Sequence, residues 1–110
     1  MPTMSDVRSV AANTRTGNIL AGKAFEFAAR PSIVRIYIVS AAVGINADIL
    51  IGGESIMSDE EVSGANRYPQ VNTDLTAQHG ASTGDRLFIA LRNTTVGALV
   101  VQTLVEVLPL

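Results

Sequence analysis

The chain has 110 residues and a formal charge of −2, with 47% hydrophobic and only 16% charged residues. It holds no Cys, no Trp and a single His, which excludes a disulfide framework, a cysteine-based zinc or iron–sulfur site and a thiol nucleophile. The length fits one small domain; the low charge excludes a disordered charged tail, and the lack of a basic excess excludes an electrostatic nucleic-acid binder.

Val, Ile and Thr make up 30 of the 110 residues. These β-branched side chains fit a pleated sheet and lose rotamer freedom in a helix. The stretch 1–20 reads as an N-terminal arm or a first strand, ahead of a single β-sandwich domain over 21–110. Within it, 6–12 is a candidate strand, 13–18 is a polar turn region, and Ile19 and Leu20 form a short apolar anchor. Residues 23–28 alternate, with Phe25 and Phe27 on one face and Glu26 on the other, and Pro31 interrupts the chain. The clearest strand is 32–42: Val34, Ile36 and Ile38 share one face, and Ile33, Arg35, Tyr37 and Val39 the other.

Residues 45–51 alternate again through Ile45, Ala47, Ile49 and Ile51, and Gly52-Gly53 closes the run as a turn or bulge. The stretch 54–62 suits either a short helix or an edge strand. From 63 to 84 Gly, Asn and Pro recur at short spacing, which predicts a long contact-making loop. Two further alternating runs, 85–92 and 98–108, flank the turn residues 93–97 and predict a hairpin. Six to eight short strands in all indicate an all-β fold, an antiparallel β-sandwich or jelly roll.

A domain this small, with no covalent staple, buries only about 65% of its unfolded surface. The runs 32–42 and 98–108 are apolar on both faces, so one face fills the core and part of the other is expected against a neighbour. Ile33, Tyr37, Val100 and Leu104 are the interface candidates on those strands. Tyr68, Val71 and Leu75 are the candidates in the long loop, and Leu110 at the chain end. Seven of the eight basic residues are Arg, the cation favoured in protein–protein contacts.

Residues suited to chemistry are sparse. His79 has no Asp or Ser beside it in the sequence and reads as a solvated loop histidine rather than a catalytic base. Asp59, Glu60 and Glu61, with Glu54 nearby, lack the alternating ligands and Gly of a calcium loop and read as a solvated acidic face, with cation binding left open. Neither glycine-containing loop carries the Lys-Ser/Thr of a phosphate site. The expectation is no enzyme, no cofactor and no metal. Asn93-Thr94-Thr95 matches a glycosylation pattern but reads as a turn. No apolar run reaches the ~20 residues of a membrane helix, and no signal segment is visible, so synthesis in a cytoplasm is expected.

Several short motifs carry a resemblance: Gly22-Lys23-Ala24-Phe25-Glu26-Phe27, Arg30-Pro31-Ser32-Ile33-Val34-Arg35-Ile36-Tyr37, Gly52-Gly53-Glu54-Ser55, Asn66-Arg67-Tyr68-Pro69, Gly84-Asp85-Arg86-Leu87 and Arg92-Asn93-Thr94-Thr95. In style and order they resemble the head-decoration, or cement, proteins of tailed bacteriophages. The resemblance implies an all-β domain on the capsid surface of a virion, a homo-oligomer with a trimer favoured, and the major capsid protein as partner. It implies no catalytic residues, no nucleic acid and no membrane. The alternative is a ligand- or receptor-binding β-sandwich of a phage fibre or accessory protein, in which Tyr37 and Tyr68 would be the only tyrosines able to stack on a sugar.

Overall fold

The computed structural model describes residues 3–22, 26–64, 69, 70 and 74–109. These residues form no helix. They form eight strands: β1 (Thr3–Val10), β2 (Ser32–Ser40), β3 (Ile45–Ile51), β4 (Glu54–Glu61), β5 (Ser63–Gly64), β6 (Leu75–Ala81), β7 (Leu87–Asn93) and β8 (Leu99–Pro109). One sheet runs β1-β8-β2, with β6 antiparallel to β2 from Ser32 to Tyr37 and the short β5 parallel to it at Val39 and Ser40. The second sheet runs β4-β3-β7.

Alternation in the sequence sets which side chains meet between the sheets. Val34, Ile36 and Ile38 of β2 face Ile45, Ala47, Ile49 and Ile51 of β3 and Leu87, Ile89 and Leu91 of β7, all 2% exposed or less. Val101 and Val105 of β8 and Val10 of β1 complete this core. Each fully buried Val, Leu or Ile contributes roughly 1.5–3 kcal/mol of transfer free energy, which offsets the ordering of a chain without disulfides.

The segment after β1 crosses to the other sheet. The amides of Thr16 and Ile19 donate to the carbonyls of Leu91 and Ile89, and the Asn93 amide donates to the Thr14 carbonyl. Asn18 fills the remaining gap: its Nδ2 donates to the Leu87 carbonyl at 3.1 Å and its Oδ1 accepts from the Ile89 amide at 3.1 Å. Residues 14–19 therefore run along β7 as a fourth member of that layer, and Ile19 and Leu20 at its end are buried in the core. The two layers become β1-β8-β2-β6 and 14–19-β7-β3-β4. Only β3 and β4 follow each other within one layer; every other step crosses between them, apart from the two-residue β5 lying against β2. That winding is a jelly roll.

The sandwich and its strand number match the sequence expectation, and 54–62 is the edge strand β4 rather than a helix. The hairpin expected over 85–108 is absent. β7 pairs with β3 and β8 pairs with β1 and β2, so residues 94–98 cross from one sheet to the other. Alternation reports which face a side chain occupies, not which strand lies alongside. The loop expected over 63–84 contains β5 and β6. Of the alternating run 23–28, residues 23–25 lie outside the described residues, and Phe27 makes a single bridge to Arg86.

Candidate interaction surface

The residues expected at an interface separate into three groups. Tyr37 and Leu104 are 1% and 7% exposed. They sit opposite each other on β2 and β8, on the face turned away from the second sheet, yet the chain itself covers them together with Val39. They offer no surface to a partner, which corrects the expectation for these two positions. Ile33 is half-buried, whereas Leu75 and Val100 are exposed. Tyr68, Val71 and Leu110 lie outside the described residues.

Tyr37 is buried with its polar end satisfied. Its hydroxyl donates to the Glu106 carboxylate at 2.6 Å, and Arg35 stands opposite Glu106 across the strands. Burial pushes the Tyr37 phenol above its usual range, and the adjacent Glu106 carboxylate pushes it further. A sugar-stacking role for Tyr37 is closed off by this burial.

Among the described residues, three of the six exposed large apolar side chains gather elsewhere. Val43, Val96 and Val100 lie at one end of the sandwich, where the loops 11–14, 41–44 and 94–98 meet. Those three loops contain no charged residue. Val96 is 94% exposed, and Ala11, Ala42 and Ala98 are exposed around it. Loops at a protein surface are ordinarily polar, so these uncharged loops with projecting valines, flanked by Arg15 and Arg92, are the candidate contact surface.

This end is held rigidly. The Asn13 amide donates to the Thr95 carbonyl, the Thr94 amide to the Gly44 carbonyl and the Ala41 amide to the Val100 carbonyl. At the centre is Asn93, 1% exposed. Its Nδ2 donates to the carbonyls of Val10 and Gly97 at 3.0 and 2.9 Å, and its Oδ1 accepts from the amide and hydroxyl of Thr95 at 2.8 and 2.7 Å. Both amide protons are donated and Oδ1 accepts from the Thr95 amide, while the single Thr95 hydroxyl proton serves Oδ1 or the Gly97 carbonyl, 2.7 and 2.8 Å away. Gly44, at φ +121°, passes so close to Thr95 that a Cβ there would collide with its side chain. Sequence reasoning took Asn93 as a plain turn residue. The available signal was an Asn ending an apolar run just before two threonines.

The charged groups form ion pairs rather than a cation cage. Arg92 Nε and Nη2 hold both oxygens of Asp59 at 2.9 and 2.7 Å, and Arg15 holds Asp48 at 2.7 Å. Asp59 adopts a left-handed backbone, and its amide donates to Asp48 at 2.6 Å. Arg92 holds the Asp59 carboxyl below the usual carboxylate range. Among the described residues no three His, Cys, Asp or Glu side chains come together to hold a metal ion. His79 lies on strand β6 rather than in a loop, with Nε2 at 3.4 Å from Glu54 and Nδ1 at 2.6 Å from the Gly80 carbonyl.

No family model matches the chain, and no curated protein sequence or solved structure matches it.

Proposed function

We propose that the chain is a virion structural protein, a capsid decoration protein that self-associates and stabilises a phage head by bridging major capsid subunits. The observation that carries this reading is the cluster of three uncharged loops at one end of the sandwich, where Val43 and Val96 project from the loops and Val100 from the start of β8, the loops being tied together through Asn93 and the Thr94–Gly44 hydrogen bond. A preformed apolar surface binds at low ordering cost, because little conformational freedom is lost on contact. Repeated over many copies on a particle, modest contacts give strong attachment through avidity. Jelly rolls recur in viral capsid proteins, and the motif order resembles decoration proteins. A fold alone does not decide function, so the surface carries the argument.

The test has two parts. The first asks whether the gene lies beside a major capsid gene. The second asks whether the purified chain cosediments with heads assembled from that capsid protein. Saturable pelleting with the heads supports the reading. A chain that stays in the supernatant at every concentration overturns it.

A further inference from the structure

We infer that two copies of this chain pair antiparallel along β1, about a two-fold axis through Val7. This goes beyond the capsid reading and does not depend on it. Strand β1 is an edge: among the described residues it pairs with β8 and with no other strand. The other sheet margins are poorer templates. The margin at β7 is covered by residues 14–19. β4 carries Glu54, Asp59, Glu60 and Glu61 and bends at the left-handed Asp59. β6 is interrupted by a register shift at Thr76. β1 runs eight residues without Gly, Pro or a register shift.

Its sequence is self-complementary. Read antiparallel against itself about Val7, the run Met4-Ser5-Asp6-Val7-Arg8-Ser9-Val10 places Met4 opposite Val10, Ser5 opposite Ser9 and Asp6 opposite Arg8. Met4, Asp6, Arg8 and Val10 point toward the second sheet, and Ser5, Val7 and Ser9 point away from it. Apolar thus meets apolar, hydroxyl meets hydroxyl, and opposite charges meet on one continuous face. Arg8 already forks onto Asp6 within the strand at 2.7 and 3.1 Å, so two such pairs would interlock as a four-charge ring.

The register is decided by charge. A two-fold axis normal to the sheet must pass through a residue, so that both copies keep the same face toward their second sheet. Moving it one residue toward the N-terminus sets Asp6 against Asp6. Moving it one residue the other way sets Arg8 against Arg8. Inward-pointing charges at an edge normally deter pairing; here they admit one partner, in one register. Val7, 61% exposed in the single chain, becomes covered by its counterpart. The two four-membered layers join into one sheet eight strands wide.

The test is native mass, followed by directed cross-linking. The wild-type chain should run as an even multiple of 11.6 kDa. Val7→Lys sets two ammonium groups against each other on the axis and should lose that contact, with circular dichroism unchanged because Val7 is exposed in the single chain and melting lowered only to that of the wild type at concentrations where it is dissociated. The chain has no cysteine, so single-cysteine variants report register cleanly. Residues directly opposite lie about 4.5–5.5 Å apart between Cα atoms, within disulfide reach. Val7→Cys should give a covalent dimer under copper–phenanthroline oxidation. Ser5→Cys alone should not, but should cross-link when mixed with Ser9→Cys. A native mass of one or three chains, a Val7→Lys variant that keeps the wild-type mass, or cross-linking by Ser5→Cys alone overturns the proposal.

Discussion

Replacing Asn93 by Asp changes one nitrogen to oxygen and leaves the shape intact. In the native chain Nδ2 donates to the carbonyls of Val10 and Gly97 from a fully buried position. With an aspartate there, the buried Val10 carbonyl loses its donor and faces a carboxylate oxygen, whereas the exposed Gly97 carbonyl keeps the Thr95 hydroxyl at 2.8 Å. An unsatisfied buried carbonyl costs about 1–3 kcal/mol, so at roughly 4 °C per kcal/mol the melting temperature falls by about 4–12 °C at pH 7. The penalty also acquires a pH dependence. Buried beside carbonyl oxygens, the new carboxyl is held above its ordinary value of about 3.9. The proton is therefore bound more tightly in the folded chain, and the penalty is smallest below about pH 4 and grows as pH rises until the folded carboxyl ionises. Thermal melts of wild type and Asn93→Asp between pH 3.5 and 8 measure both effects. A loss under about 1 kcal/mol at pH 7, or a difference that does not widen with pH, would refute the role assigned to Asn93.

Further outcomes follow from other buried groups. The Thr103 hydroxyl is buried without a hydrogen-bond partner, so Thr103→Val should stabilise the chain by about 1 kcal/mol in urea denaturation; destabilisation would contradict this. Tyr37→Phe removes the donor to the buried Glu106 carboxylate and should cost about 1.5–3 kcal/mol by the same measurement. The Glu26 carboxyl is held below its usual range by the Gly22 amide, with help from Arg86, and Asp59 is held low by Arg92. Both folded values lie below the unfolded ones, so their stabilisation is present above about pH 4 and drains away as pH falls through the folded values. Carboxyl titration by NMR should show both, and Arg92→Gln should raise Asp59 while leaving Glu26 in place.

The core was legible because its strands alternate strictly. Ile45, Ala47, Ile49 and Ile51 announce one buried face, and Val34, Ile36 and Ile38 another. Strand neighbours were not legible. β7 and β8 look like a hairpin in sequence, but their apolar faces meet across the core instead of lying side by side. β6 was missed because Leu75–Ala81 carries little apolar signal; its backbone pairing to β2 holds it in place. The covering of Tyr37, Val39 and Leu104 within the chain was also hidden. Apolarity on both faces of a strand favours burial of each face without showing what covers it, and along the outer face Tyr37, Val39 and Leu104 are covered but Val100 is left exposed. The three uncharged loops are separate in the sequence, and only the fold brings 11–14, 41–44 and 94–98 together.

The most direct test of the capsid account compares wild type with Val96→Asp in binding to assembled heads. Val96 is 94% exposed, so its substitution should leave melting unchanged while placing a charge among the three uncharged loops. The account predicts saturable cosedimentation of wild type and at least a tenfold weaker isotherm for Val96→Asp. Equal binding by both proteins, or binding by neither, would contradict it.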